Sequence, residues 1–189
     1  LILIILFSPL LILIALLLWW HDGAPVLFVH HRVGRDGKVF PCYKFRTMVR
    51  AADRVLANYL ERNPQAREYW NRNHKLAVDP RVTTIGWVLR RTSLDELPQL
   101  FNVLRGEMRL VGPRPVTPGE LRRYGVVRWH YLSVAPGMTG LWQTSGRSNR
   151  SFEERIALDR YYVEHRGLWM DLSILCRTIP VVLQRDGAH

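Results

Sequence analysis

The most informative part of the chain is residues 90–115, which read RRTSLDELPQLFNVLRGEMRLVGPRP. Ser93 stands three residues before Glu96, a spacing that predicts a capping box at the start of a helix running to about Arg105. The positive end of the helix dipole would stabilise both Asp95 and Glu96, and this alone is a sufficient reason for acids there. Consecutive helical side chains point about 100° apart, so both carboxylates cannot serve one cap. One of them is therefore predicted to face outward, where a phosphate held at the helix start would meet it.

A further arginine follows the acid pair between two prolines. Arg114 is flanked by Pro113 and Pro115, whose rings restrict the backbone on both sides of it. A guanidinium group held in this way loses little entropy when it clamps a diphosphate with two parallel hydrogen bonds. The same pattern also fits a structural turn in which Arg114 only caps the end of a helix.

Residues 25–48 predict a β-hairpin. Two β-rich segments flank the turn sequence Gly34-Arg-Asp-Gly37. Lys44 and Arg46 alternate on the second strand, so their side chains are predicted to point to one face of it. That face is either a solvated basic surface or part of an anion-binding site.

Residues 151–163 predict a helix that begins with a capping box between Ser151 and Glu154. Asp159 falls on the apolar face of this helix, together with Phe152, Ile156 and Val163. A carboxylate that points inward is costly unless an arginine or a metal pairs with it. Asp159 is therefore either a site residue or half of a buried structural salt bridge.

The N-terminal segment Leu1–Trp20 is apolar except for Ser8 and is long enough to cross a bilayer. Pro9 removes one helical hydrogen bond, and the hydroxyl of Ser8 can satisfy the freed carbonyl, so a sharp bend is tolerable in lipid. The residues alone fit a kinked spanning helix as well as a bent helix that returns to the side from which it entered.

The composition limits the classes of partner. A length of 189 residues suits one compact domain, and a net charge of +11 requires an anionic partner, which could be nucleic acid, a membrane surface or a phosphorylated substrate. Cys42 and Cys176 have neither metal-binding nor disulfide spacing. Residues 118–134 alternate basic and aromatic side chains, which predicts a helix lying in the plane of an anionic leaflet. Residues 168–185 predict a last, mostly apolar helix interrupted by Pro180.

Several motifs resemble those of the bacterial sugar transferases, the monotopic phosphoglycosyl transferases, and they occur in that family's order along almost the whole chain. These motifs are Lys44-Phe-Arg-Thr-Met48, Ser93-Leu-Asp-Glu-Leu-Pro-Gln-Leu-Phe-Asn-Val-Leu104, Gly112-Pro-Arg-Pro115, Pro136-Gly-Met-Thr-Gly-Leu-Trp-Gln-Thr-Ser-Gly-Arg147 and Leu158-Asp-Arg-Tyr-Tyr-Val163. The resemblance implies transfer of a sugar-1-phosphate from a UDP-sugar to undecaprenyl phosphate, with release of UMP.

The resemblance also implies roles for individual residues. Asp95 would be the catalytic nucleophile and would form a covalent aspartyl-phosphosugar, while Glu96, with Asp95, would hold Mg²⁺. The expected substrate-binding residues are Lys44, Arg46, Arg90, Arg114, Arg147 and Asp159. The last two would position the nucleotide or the metal. The form of the later motifs favours a galactose or glucose donor over an N-acetylated sugar, and it suggests that residues precede Leu1.

The expected fold is of the mixed α/β class, a compact catalytic domain with a small β-hairpin sheet, amphipathic interface helices and an N-terminal re-entrant membrane helix. Residues 1–22 would form the re-entrant segment, broken at Ser8-Pro9, and residues 23–189 the cytoplasmic domain at the bacterial inner membrane. Its partners would be the two substrates and membrane phospholipid, without nucleic acid, and a homodimer is left open. The competing interpretation is a non-catalytic basic module at the membrane surface. That interpretation explains the charge and the apolar start, but not an acid pair facing a set of arginines.

Overall fold

The computed structural model describes residues 1–73, 76, 78–146 and 151–184. It confirms a mixed α/β fold, in which helices surround two small sheets. In chain order the elements are α1 (Ile2–Asp22), β1 (Leu27–Val33), β2 (Val39–Phe45), α2 (Ala52–Arg62), α3 (Pro64–Asn73), α4 (Thr84–Arg91), α5 (Gln99–Leu104), β3 (Arg109–Val111), α6 (Pro118–Arg123), α7 (Arg128–Leu132), β4 (Gly137–Thr139), α8 (Phe152–His165) and α9 (Leu168–Gln184).

The predicted hairpin is confirmed. Strands β1 and β2 pair antiparallel, with Leu27 opposite Phe45 and Val33 opposite Val39. The turn between them needs left-handed backbone at Asp36 (φ 56°) and Gly37 (φ 77°), which aspartate and glycine adopt more readily than most residues. The hairpin carries Lys44 close to the end of β2.

The second sheet is a parallel pair of strands. It holds Arg114, which lies between two prolines, against a loop from later in the chain. Strand β3 pairs with β4, with Val111 opposite Thr139. A Cβ atom added at Gly112 would lie 2.8 Å from the backbone nitrogen of Gly137, so only glycine allows the two segments to approach this closely. The Pro113–Pro115 segment is thereby fixed beside the loop that follows β4.

Helix α1 is part of the packed domain on one side and exposed on the other. Its residues Leu11, Ile14 and Leu18 are buried against Phe45 and Leu89. The exposed side carries large apolar residues, among them Ile12, Leu13, Leu16, Trp19 and Trp20. The helix has 21 residues and is long and apolar enough to cross a membrane by length and composition.

Helix α1 continues through Pro9 without interruption. Pro9 has no N–H to donate to the carbonyl of Ile5, and the hydroxyl of Ser8 donates to that carbonyl at 2.8 Å instead. The expected role of the serine hydroxyl is therefore confirmed, whereas the re-entrant course of the segment stays a prediction.

Two expected helices differ from the structure in continuity. Residues 118–134 form two short helices, α6 and α7, instead of one, because Gly125 adopts a φ of 53° between them and a 3-10 turn follows. The interruption expected at Pro180 is wrong, since α9 continues through that residue to Gln184. The capping box predicted at Ser151 and Glu154 is confirmed.

Candidate active site

The acid pair lies on a 3-10 turn between two helices. Helix α4 ends at Arg91, Ser93 takes a left-handed conformation (φ 56°), and Leu94–Glu96 form the 3-10 turn. The capping box predicted for Ser93 is wrong, because the side chain of Ser93 makes no cap hydrogen bond there. Pro98 contributes to this difference, since without an N–H it cannot extend a regular helix back to the turn. The charges that act on Asp95 at this turn include those of Lys44, Arg90 and Arg114.

Two cations from distant parts of the sequence meet at Glu96. The Nζ atom of Lys44 lies 2.6 Å from Glu96 Oε1, and a terminal nitrogen of Arg114 lies 3.6 Å from the same oxygen. Each of the three side chains keeps about a fifth to a third of its surface exposed. The group therefore forms an accessible, mostly cationic site rather than a closed ion pair.

Asp95 lies in the same cleft as Lys44, Glu96, Arg90 and Arg114. Only 9% of its surface is exposed. Burial raises the pKa of Asp95 to about 6, the negative charge of Glu96 adds to this effect, and the three cations oppose it. At neutral pH the carboxylate is therefore mainly ionised but only partly solvated, a state that suits a nucleophile.

Arg90 is held at the edge of this site by the end of the hairpin. Its Nε donates to the hydroxyl of Thr47 at 2.8 Å. Helix α4 approaches Thr47 so closely that a Cβ at Gly86 would lie 2.1 Å from the Thr47 carbonyl oxygen. The glycine therefore permits the contact that directs Arg90 toward the cleft, where its charge acts on Asp95.

Arg46 has mainly structural contacts. It is 8% exposed, and one terminal nitrogen donates to the backbone carbonyls of Asp22 and Gly23 at 2.7 and 2.6 Å. These bonds tie the end of α1 to the hairpin. Arg46 also lines the cleft, so its predicted part in substrate binding stays a prediction.

Asp159 is buried and faces inward, as its helical position predicts. Its Oδ2 accepts a hydrogen bond from the hydroxyl of Tyr124 at 2.7 Å and lies 3.8 Å from Arg155 Nε. Burial raises the pKa of Asp159 to about 6, although Arg155 and the Tyr124 hydroxyl favour its ionised form. The salt-bridge alternative therefore accounts for its immediate contacts, and its predicted role with the nucleotide or the metal stays a prediction.

One predicted site residue, Arg147, lies outside the described residues. Sequence reasoning also missed two residues next to the site, Arg155 and Trp142. The guanidinium groups of Arg114 and Arg155 lie 5.8 and 5.0 Å from the indole ring of Trp142. Arg155 stands one helical turn before Asp159, and this spacing was the available signal for their pairing.

The acids fit a metal that is bound together with substrate. Among residues 1–73, 76, 78–146 and 151–184, no group of three or more His, Cys, Asp or Glu side chains could hold a metal ion. Asp95 and Glu96 supply two carboxylates, and Mg²⁺ in phosphoryl-transfer sites is commonly held by one or two carboxylates, water and substrate phosphates. The donor set is therefore suited to a phosphate-bound Mg²⁺.

A pair of carboxyl groups with Lys44, Arg90 and Arg114 around them is an arrangement suited to phosphoryl transfer. Comparison with protein families identifies the class. The model of the bacterial sugar transferase family matches residues 1–185, and the chain belongs to this family.

Individual relatives cover different shares of their own length. The undecaprenyl-phosphate galactose phosphotransferase of Salmonella typhimurium is 51% identical over 189 residues, which are 98% of this chain and 39% of the relative. The exopolysaccharide production protein ExoY of Rhizobium meliloti is 48% identical over 186 residues, 98% of this chain and 82% of the relative. The UDP-glucose:undecaprenyl-phosphate glucose-1-phosphate transferase of Caulobacter vibrioides is 38% identical over 192 residues, which are 97% of this chain and 66% of the relative. The chain thus spans well under half the length of the Salmonella relative.

Proposed function

We propose that the protein transfers a sugar-1-phosphate from a UDP-sugar to undecaprenyl phosphate and releases UMP. The observation that carries the proposal is the placement of Asp95 and Glu96 in one cleft with Lys44, Arg90 and Arg114. Three cations around two carboxylates can bind the diphosphate of a nucleotide sugar and still leave a carboxylate oxygen to attack it. The names of the relatives from Salmonella and Caulobacter support the same chemistry.

Asp95 is the nucleophile of the first step. A carboxylate oxygen attacks the phosphorus that carries the sugar, and the bond from that phosphorus to the oxygen bridging to UMP breaks. UMP leaves with the bridging oxygen, and the sugar phosphate stays on Asp95 as an acyl phosphate. A phosphate oxygen of undecaprenyl phosphate then attacks the same phosphorus and regenerates the carboxylate. Two steps through an enzyme-bound phosphosugar replace one direct reaction between two repelling anions.

The cations interact with different parts of the negatively charged substrate. Arg90, whose charge acts on Asp95, stabilises charge on the phosphoryl oxygens, while Lys44 and Arg114 flank Glu96 and bind the diphosphate. Asp95 and Glu96 would hold Mg²⁺, which when bound supplies positive charge to the diphosphate and favours departure of UMP.

The membrane-facing parts of the fold suit a lipid acceptor. The exposed apolar side of α1 inserts into the inner membrane from the cytoplasmic face, with Trp19 and Trp20 at the level of the head groups. The buried side, through Leu18, packs on the same domain that carries the cleft. This anchor keeps the catalytic site close to the phosphate of undecaprenyl phosphate, whose chain stays in the bilayer.

The donor sugar is proposed to be galactose or glucose. The Salmonella relative is a galactose phosphotransferase by name, and the Caulobacter relative is a glucose-1-phosphate transferase. An N-acetylated donor is the alternative within the same reaction. The experiment is an assay of the purified protein in lipid with Mg²⁺, undecaprenyl phosphate and a panel of UDP-sugars, in which UMP release and the lipid product are both measured. Absence of UMP release with every donor would contradict the proposed function.

A further inference from the structure

The Pro113–Pro115 segment is held by more than its prolines. The next residue, Val116, donates its N–H to the hydroxyl of Tyr131 at 3.2 Å and accepts from the N–H of Val33 at 2.9 Å. The hydroxyl of Tyr131 donates in turn to the carbonyl of Val33 at 2.6 Å. One end of the segment is therefore fixed to strand β1.

Two arginines, the buried Arg155 and the half-buried Arg32, contact the carbonyls of the segment itself. A terminal nitrogen of Arg155 donates to the carbonyl of Arg114 at 3.3 Å, and a terminal nitrogen of Arg32 donates to the carbonyl of Pro115 at 3.4 Å. Glu120 lies between the two arginines, with one carboxylate oxygen 3.4 Å from Arg155 and the other 3.0 Å from Arg32. Two successive carbonyl groups are thus held by two cations that share one acid.

The cluster continues behind Arg155 into the core. Asp159 lies 3.8 Å from the Nε of Arg155 and accepts the hydroxyl of Tyr124. Arg155 and Asp159 are 6% and 3% exposed. Removing such charges from water is expensive, and a buried ion pair is often no more stabilising than apolar residues of the same volume. Stability alone is therefore a weak reason for this cluster, whereas orientation of the segment is a direct consequence of its geometry.

The same cluster reaches the side chain of Arg114. Arg155 and Arg114 both lie over the indole of Trp142, at 5.0 and 5.8 Å, and Arg114 then extends to Glu96. Arg155 therefore contacts the backbone of Arg114 directly. It is linked to the guanidinium of Arg114 through the ring of Trp142, over which both guanidinium groups lie. A shift of Arg155 would change where Arg114 presents its positive charge to a substrate.

We propose that Arg155 is a positioning residue for phosphosugar transfer. With Arg32 it fixes the carbonyls of Arg114 and Pro115, and it thereby holds the Arg114 guanidinium at the diphosphate-binding side of Glu96. Asp159 and Tyr124 keep Arg155 in place. This inference deepens the proposed function and rests on it, because Arg155 acts only through a residue of that site.

A double-mutant cycle tests the inference. Arg155→Lys keeps a buried positive charge opposite Asp159 and Glu120 but removes the planar guanidinium that reaches the Arg114 carbonyl. Arg155→Gln removes the charge as well. Each change is made in the native chain and in an Arg114→Gln chain, and kcat and KM are measured for the UDP-sugar that the native protein uses. Arg160→Gln is the matched control, since Arg160 is an exposed arginine of the same helix that pairs with Glu164.

In the native chain we expect Arg155→Lys to lower kcat/KM about tenfold and Arg155→Gln about 100-fold, mainly through kcat, because a small misplacement of a charge-stabilising group is costly. In the Arg114→Gln chain both changes should lower kcat/KM by less than about threefold, since the residue through which they act is gone. Arg160→Gln should leave both parameters unchanged. Melting temperatures of the variants report folding separately, and Arg155→Lys is the informative change if Arg155→Gln unfolds.

Two results would overturn the inference. One is a loss of kcat/KM of the same size in the Arg114→Gln chain as in the native chain, which would mean that Arg155 supports the fold in general. The other is unchanged activity of both Arg155 variants. A native protein that releases no UMP from any donor would instead overturn the proposed function, and the inference with it.

Discussion

The ammonium group of Lys44 lies 2.6 Å from Glu96, a residue 52 positions later in the sequence. The contact joins the end of strand β2 to the turn that follows helix α4, and Arg114 lies near the same carboxylate oxygen. Glu96 is therefore already balanced by cations before any substrate binds. We expect the arrangement to bind a diphosphate with the cations while the acids bind the metal that accompanies it.

Lys44 gives the first prediction. Lys44→Gln should lower kcat/KM for the UDP-sugar by about 10- to 100-fold, because a charge-assisted contact to the diphosphate is lost. Steady-state kinetics of UMP release measure the effect. Lys38→Gln is the control, since it removes the same charge from an exposed position beside the hairpin turn and should leave kcat/KM unchanged. An equal loss in both variants would indicate that only net charge matters.

Glu96 gives the second prediction. Glu96→Gln should raise the Mg²⁺ concentration needed for half-maximal activity by roughly tenfold or more, because an amide is a weaker ligand for a hard cation than a carboxylate. A Mg²⁺ titration of initial rates measures this shift, and the ratio of rates for two UDP-sugars measures donor selectivity. Selectivity should stay as in the native protein. An unchanged Mg²⁺ titration would remove Glu96 from the metal site.

Asp159 gives a prediction on stability. Its folded-state pKa of about 6 lies above the ordinary value of 3.8, so between these pH values the folded protein keeps a proton that the unfolded chain releases. The stability associated with this proton is complete below about pH 4 and is lost as the pH rises through about 6. In Asp159→Asn this pH-dependent loss of stability should be absent. The expected difference in the free energy of unfolding is on the order of 2–3 kcal/mol.

The measurement is the free energy of unfolding of both proteins at several pH values from 4 to 7. Asp36→Asn is the control, because it removes an acid from the exposed hairpin turn, where asparagine tolerates the same left-handed backbone. Its pH dependence should follow that of the native protein. If Asp159→Asn also followed the native curve, the carboxyl group would have an ordinary pKa.

The course of α1 gives a prediction on topology. A re-entrant helix places both of its ends on the cytoplasmic side, whereas a spanning helix does not. The test starts from a Cys176→Ser chain, which keeps only the buried Cys42. Ile2→Cys and Lys38→Cys are each introduced singly into it, and both should react with an impermeant thiol reagent in inside-out vesicles. Labelling of Lys38→Cys with protection of Ile2→Cys until the membrane is permeabilised would indicate a spanning helix.

Local features of the chain were predictable because neighbouring residues determine them. The Gly34–Gly37 turn and the capping box at Ser151 depend on a few adjacent residues, and both are confirmed. The box predicted at Ser93 has the same sequence pattern, but its serine takes a left-handed conformation after the end of α4. That outcome depends on how α4 meets the hairpin, which no local pattern reports.

The candidate site was only partly predictable for the same reason. The motifs indicated Asp95, Glu96, Lys44, Arg90 and Arg114, and the structure brings these five together in one cleft. The bond from Arg155 to the carbonyl of Arg114 joins residues 41 positions apart through the packing of α8, so no local pattern indicates it. Arg46 shows the converse, since this basic residue directly after β2 has the main-chain carbonyls of Asp22 and Gly23, at the end of α1, as its hydrogen-bond acceptors.

The central claim is that the carboxylate of Asp95 accepts the sugar phosphate, and intact-mass measurement tests it most directly. The native protein and Asp95→Asn are each exposed to UDP-galactose or UDP-glucose with Mg²⁺ and without undecaprenyl phosphate, and UMP is measured in the same samples. We expect the native protein to gain the mass of one hexose phosphate and to release one UMP per chain, and the adduct to disappear when undecaprenyl phosphate is added. Asp95→Asn should show neither adduct nor transfer, with a loss of activity of about a thousandfold or more. Near-normal turnover by Asp95→Asn would contradict the claim.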